Sequence, residues 1–257
     1  MSINRTQGVV LRSRKIRESS KIVLFFTRDF GKISVVAKGS LKPKSKFGAS
    51  LELFTRCALI FYSKQDRNLH TLSHAEILSS YDNLKKDVVK LAYGGVVGEL
   101  VEKFCPNEEP NRAIYELLTK TLGQIDAAQR KELETILSIY EFKFLELIGY
   151  APELDVCVRC GHPVDEKAWF GLASGGLLCR ECYNMDLNAL RLSPGALLLL
   201  RAYQKGSMEE VKKLGSDLPS REVADLLHSF LRMQAGDGVA IKSLDFLERM
   251  RNGSISR

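Results

Sequence analysis

The sequence predicts an α+β protein: an N-terminal β-barrel of OB-fold type followed by an α-helical domain that carries a four-cysteine module. Three observations predict it. Over the first eighty residues, apolar runs with period-two alternation are separated by turn residues; from about Asp82 the apolar spacing changes to three and four; and Cys157-Val158-Arg159-Cys160 is matched eighteen residues later by Cys179-Arg180-Glu181-Cys182. The expected domains are 1–80 for the barrel, 81–156 and 183–257 for the helical domain, and 157–182 for a module inserted in it.

The first strand is expected near Gly8-Val9-Val10-Leu11 and the second over residues 21–27, with Asp29-Phe30-Gly31 as the turn that follows. In the third, Ile33, Val35 and Ala37 share one face while Lys32, Ser34 and Lys38 share the other, a half-buried strand with a cationic outer face. Two more runs, 51–62 and 69–78, flank the polar stretch 63–68, which reads as a hairpin loop. Five strands in about eighty residues suit a small barrel, and an OB-fold in particular. Between the third and fourth strands, Lys38, Lys42, Lys44 and Lys46 lie in a stretch with Gly39, Pro43 and Gly48. That composition gives a cationic loop able to follow phosphates without reading sequence. Phe47 closes the loop, either as a base-stacking ring or as a packing anchor.

The first helical stripe carries Leu84, Val88, Leu91, Ala92 and Leu100 and is interrupted by Gly94, Gly95 and Gly98, which implies close packing against another helix or a local break. Pro110 suits the first turn of a second helix bearing Ile114, Leu117, Leu118 and Leu122. A third, from about residue 129, places Leu133, Ile136, Leu137, Tyr140, Phe144, Leu147 and Ile148 on one stripe and ends at Gly149. After the cysteines, Ser193-Pro194 reads as N-cap and first helical residue for 195–203, with further helices near 220–234 and 243–250.

Two C-x2-C pairs at this separation are the spacing of a four-thiolate zinc site: each pair forms a tight turn that aims two sulfurs at one ion. Cys157, Cys160, Cys179 and Cys182 are the expected ligands of one Zn2+, and a closed shell of four thiolates makes the ion structural. Two disulfides, a reduced redox pair or an iron centre are the alternatives. His162 could substitute as a ligand but reads as a loop residue beside four sufficient cysteines. Cys57, in a strand, and Cys105, at a helix end, read as small buried hydrophobes.

The net charge of +7 is unevenly distributed. Residues 1–80 hold fifteen Lys or Arg against five Asp or Glu, +10, and the remainder carries −3. Such segregation is the footprint of a polyanionic partner, with a solvated basic face as the bland reading. Arg12, Arg14, Lys15, Lys32, Lys38, Lys42, Lys44 and Lys46 are the candidate DNA-binding residues. No apolar run is long enough to span a membrane, and no secretory h-region opens the chain, so a cytoplasmic protein without membrane contact is expected. No G-x4-G-K-[ST], H-E-x-x-H or G-x-S-x-G motif occurs. Ser174 lies among turn residues, and His70 and His74 fall in β-patterned sequence, where four residues place them about 13 Å apart. A catalytic role has no support; an RNA-binding zinc-ribbon and OB protein of transcription or translation is the alternative to DNA handling.

Gly149-Tyr150-x-Pro152-x-Leu154-x-x-Cys157-x-x-Cys160-Gly161, Gly175-Gly176-x-x-Cys179-x-x-Cys182, residues 241–247, Gly8-Val9-Val10-Leu11 and Val36-Ala37-Lys38-Gly39 together resemble the bacterial RecO family of DNA repair proteins over nearly the whole chain. The resemblance implies a non-enzymatic recombination mediator that binds single- and double-stranded DNA, anneals complementary strands, works with RecR, engages the acidic C-terminal tail of single-stranded DNA-binding protein and helps load RecA. It also implies zinc at the four cysteines, all of which are present here. Lys85, Lys86, Arg130, Lys131 and Lys143 are among the cations that could rim a groove for the acidic tail.

Overall fold

In a computed structural model, residues 2–63, 68–164, 167–215, 218–236 and 238–253 are described, and the chain divides into two compact units, Met1–Ala127 and Ala128–Arg257. The period-two segments of the first unit form β1 (Ser2–Arg17), β2 (Ser20–Thr27), β3 (Gly31–Ala37), β4 (Arg56–Ser63) and β5 (Leu69–Ser79). They close into a barrel of order β1-β2-β3-β5-β4, with β3 and β5 parallel and the other pairs antiparallel. This is the expected five-stranded OB architecture. Its interior is filled by Val10, Val23, Phe25, Ile33, Val35, Leu59, Phe61 and Leu72. Four residues of the expected hairpin loop, 64–67, lie outside the described residues.

β1 is longer than the expected strand because one chain pairs twice: its first half with β4, Ser2 to Val9, and its second with β2. The run 51–62 is not one strand. Gly48–Leu51 is a 3-10 turn, and Phe54 adopts a left-handed backbone, φ 63°, before β4 begins at Arg56. That turn drives the Phe54 ring onto helix α2 (Val88–Phe104), where a Cβ on Gly98 would stand 3.0 Å and one on Gly94 3.2 Å from the ring. Gly98 therefore makes room for a phenylalanine from the barrel side, while Gly94 is crowded both by that ring and by Leu84 of the short helix before it, 3.3 Å from the same Cβ, so the expected close approach of another helix holds at Gly94 and not at Gly98.

The helical break also falls elsewhere than at the glycines. α1 (Asp82–Lys86) ends at Asp87, whose side chain accepts from the amides of Val89 and Lys90 and so caps α2. α3 (Arg112–Ala127) starts after Pro110, with the Asn111 side chain accepting from Ile114 N at 3.0 Å. An Asx cap, not proline in the first turn, starts that helix.

In the second unit α4 (Leu133–Leu147) is preceded by a 3-10 turn with a Gln129/Glu132 capping box and followed by Gly149 at φ +87°. The cysteine region contributes a small antiparallel sheet, ordered β7-β6-β8: β6 (Ala168–Gly171), β7 (Gly176–Leu178) and β8 (Ala189–Leu192). α5 (Pro194–Gln204) is capped by Ser193 Oγ as expected; α6 (Met208–Lys213), α7 (Ser220–Ala235) and α8 (Lys242–Arg251) complete the unit. α6 was not foreseen, because six residues give too little periodicity to register. α4, α5 and α7 pack together around Phe144, Leu199, Leu200, Leu227 and Phe230, and Phe170 from β6 meets Phe230 edge-on at 5.3 Å.

Candidate metal centre and nucleic-acid face

The sulfurs of Cys157, Cys160, Cys179 and Cys182 all lie within 4.8 Å of one another, and those of Cys160 and Cys179 are 3.8 Å apart. A tetrahedron with metal–sulfur bonds of about 2.3 Å has sulfur–sulfur edges of about 3.8 Å. Each C-x2-C pair is bent by its own backbone. Gly161 N donates to Cys157 O at 2.8 Å and Cys157 N to His162 O at 2.8 Å; Cys182 N and Tyr183 N both donate to Cys179 O. His162 thus contributes its carbonyl to the turn, while the four cysteines alone form the metal-competent group among the described residues.

The two turns are held to each other by Glu153–Val158. Val158 N donates to Leu177 O and Leu177 N to Glu153 O, both at 2.9 Å. A Cβ on Gly176 would stand 2.7 Å from a Val158 methyl and 2.8 Å from the Glu153 carbonyl, so only glycine lets these strands approach. Asp186 fastens the far side, accepting from Ser174 N and Asn188 N at 2.9 Å. Burial opposes its ionisation, but these amides hold its carboxyl below the usual range.

The thiols differ in acidity. Burial works against ionising Cys157, but amide hydrogen bonds from Cys179, Cys160 and Arg159 bring it down to about 6; burial and the three neighbouring sulfurs push Cys182 up to about 12. Four thiolates this close repel one another, and a cation at their centre removes that opposition. The group can therefore hold a metal ion with no position left for water or substrate. Cys57 and Cys105 are apart from it. Burial pushes their thiols to about 12 and about 11, and Cys57 donates to Ser50 O, which keeps both protonated.

On the barrel, Arg12, Arg14, Lys15, Lys38, Lys42, Lys44 and Lys46 are exposed. Lys32 is not. Only 9% exposed, it turns its Nζ onto the backbone carbonyl of Glu102 in α2, and burial lowers its pKa. The alternation of β3 fails here because the residue sits where α2 and the segment after it cover the strand, with Glu108 N donating to Lys32 O. Arg12 pairs with Glu102 at 3.1 Å while remaining 62% exposed, a surface pair of little energetic weight.

Lys38 and Lys42 line one cleft of about 780 Å³ together with Ile16, Ser19, Ser20, Gly39 and Leu69. Leu41 N donates to Ser19 O at 3.1 Å, tying the lysine loop to the β1–β2 turn, and turns closed by Lys42 N to Gly39 O and Ser45 N to Lys42 O shape it. Ile16 and Leu69 are 47% and 42% exposed there, apolar surface beside ammonium groups. Phe47 is 4% exposed within the barrel core, so it is the packing anchor and does not stack on a base; Lys46 Nζ lies 5.3 Å from its ring centroid.

Register reveals what the sequence did not. Lys15 stands directly across from Lys21 on β2, and like charges opposite each other destabilise a sheet unless an anion lies over them. The exposed apolar pair Ile16 and Leu69 was equally invisible, since they come from the first and fifth strands.

His70 and His74 both lie on β5; His70 is buried and pairs with Glu108 at 3.3 Å, and His74 is exposed. Of the cations considered for an acidic peptide, Lys85 is held by Glu52 and Thr55, and Lys143 by Glu146 and the Gln204 carbonyl. No helix among the described residues is long and apolar enough to cross a membrane.

Comparison with known proteins agrees along the whole chain. The family model described as Recombination protein O N terminal matches residues 1–81, and Recombination protein O C terminal matches 85–245. The chain is 31% identical over 250 residues to the DNA repair protein RecO of Listeria monocytogenes serotype 4a, covering 96% of this chain and 95% of that one. It is 31% identical over 260 residues to RecO of Symbiobacterium thermophilum, covering 98% and 99%, and 32% identical over 253 residues to RecO of Syntrophus aciditrophicus, covering 96% and 97%.

Proposed function

Since the chain belongs to the RecO family of DNA repair proteins, we propose that it is a non-enzymatic recombination mediator: it binds single- and double-stranded DNA on its barrel, anneals complementary strands and, with RecR, helps load RecA onto DNA coated with single-stranded DNA-binding protein. The observation that carries the DNA part is the cleft of Lys38, Lys42, Ile16 and Leu69 on a closed OB barrel. Ammonium groups neutralise phosphates, and apolar side chains between them cover sugars or bases. Arg12, Arg14, Lys15, Lys44 and Lys46 extend the same charge over the strands and loop. Lys32 is excluded from this set, because its ammonium is committed to the Glu102 carbonyl.

Annealing needs no covalent step. Two polyanionic strands repel until cations screen them, and exposed lysines that make no ion pair among the described residues can do so. The ion at the four cysteines is proposed to be one structural Zn2+, since a tetrahedral set of four thiolates matches that ion's geometry and softness. Contact with the acidic C-terminal tail of single-stranded DNA-binding protein is proposed for the helical part, with residence in the cytoplasm at the nucleoid.

The test is annealing of two complementary oligonucleotides by the purified protein, bare and coated with single-stranded DNA-binding protein. Acceleration of both reactions is expected. Binding without acceleration would leave a DNA-binding protein and sink the mediator reading.

A further inference from the structure

The outward face of the small sheet is not explained by metal binding. Along β6, Ala168 and Phe170 are buried, Phe170 against Phe230 of α7, so Trp169 between them points the other way and is only partly covered. Directly across from it on β8 is Arg191, exposed and without an ion pair among the described residues. Tyr183, the residue after the metal ligand Cys182, lies flat on Trp169: ring centroids are 4.4 Å apart and the planes differ by 14°. The amide of Tyr183 is fixed to Cys179 O, and Asp186 clamps the chain beyond it. The surroundings are open, with Met185 64% and Leu187 98% exposed.

A ring pair serving only to fill a core would be buried and would face apolar neighbours. This one is part-exposed, rigidly held and set beside a guanidinium, which is the chemistry of a stacking platform for bases with a cation for the adjoining phosphate. Arg159, exposed on the first cysteine turn, adds positive charge, while on the second turn exposed Glu181 offsets Arg180. We propose that the metal module carries a second single-stranded nucleic-acid contact, in which a base stacks on the Trp169–Tyr183 pair and Arg191 meets the neighbouring phosphate. It rests on the reading of the protein as DNA-binding and adds a contact remote in sequence from the barrel cleft. A metal ion at the four cysteines would hold Tyr183 in place through Cys179 and Cys182.

Trp169 is the only tryptophan in the chain, so its emission reports this surface and no other. The metal-loaded protein is titrated with a dye-labelled oligothymidylate while dye anisotropy and Trp169 emission are recorded separately. The expected result is quenching of Trp169 that saturates with the anisotropy and protects the indole from acrylamide. Arg191→Gln should bind more weakly and flatten the salt dependence of binding by about 0.7 slope units, the loss of one phosphate contact on a single strand, with unchanged melting. Trp169→Phe, which keeps an aromatic ring, should lose the signal while keeping most of the affinity. Anisotropy that rises while Trp169 emission and acrylamide access stay constant overturns the platform and leaves the barrel reading standing. No anisotropy change overturns both. A Trp169 response to an acidic peptide but not to the oligonucleotide gives the surface to a protein partner and overturns the proposal.

Discussion

Changing Lys42, Lys44 and Lys46 together to glutamine separates charge that faces solvent from charge that is spent inside the protein. All three are exposed and make no ion pair among the described residues, so each can release a counterion when it meets a phosphate. At about 0.7 slope units per contact on a single strand, losing three flattens the plot of log affinity against log salt by about 2 units. Between roughly 50 and 200 mM salt the variant should therefore lose about 15- to 20-fold less affinity than the parent. Lys32→Gln is the internal control. Its ammonium is held by the Glu102 carbonyl, so the salt slope should not move, while stability should fall by about 1.5–3 kcal/mol, the range for a hydrogen bond to a charged group. Anisotropy of a labelled oligonucleotide over a salt series gives the slopes, and urea unfolding gives the stability. An unchanged slope in the triple variant, or a flattened one in Lys32→Gln, would refute the assignment of the binding face.

Two further outcomes follow from the second unit. The protein should contain about one zinc per chain, and Cys157→Ser or Cys182→Ser should lose the metal together with hydrogen-exchange protection at Val158 and Leu177; a metal-free protein that keeps that protection contradicts a structural ion. His228, fully buried on α7, lies 3.2 Å from Glu141 of α4 and 3.2 Å from Glu248 of α8, with Arg232 on Glu248 and Arg251 nearby. Burial and Arg251 lower its pKa, but the Glu141 and Glu248 carboxylates outweigh them and the net shift is upward. A raised histidine contributes stability that is complete below its unfolded value of about 6.5 and fades as pH climbs through the folded value. Urea midpoints should thus decline from about pH 6 upward, and His228→Ala should remove that dependence and cost about 3–5 kcal/mol by leaving Glu141 unpaired; an equally pH-dependent variant would show that another group is responsible.

Features that repeat over a short window, or depend on fixed spacing, were decided by the sequence alone. The period-two runs specify the barrel strands, the three-and-four spacing specifies the long helices, and two C-x2-C pairs specify a metal-competent centre, because backbone geometry converts those intervals directly into a shared face or a shared ion. Glycine and lysine misled wherever a distant segment intervened. Gly98 accommodates Phe54, forty-four residues earlier, and Lys32 reaches a carbonyl seventy residues later; neither distance is encoded in local periodicity. Only the tertiary structure could set Lys15 across from Lys21, bring Ile16 and Leu69 to one cleft, or lay Tyr183 on Trp169, since cross-strand register and loop closure are fixed by the packing of the whole unit. The sequence by itself determined which long strands and helices form and that a metal can be held; tertiary packing decided the short elements and which charges and rings remain exposed, because both depend on segments far apart in the chain.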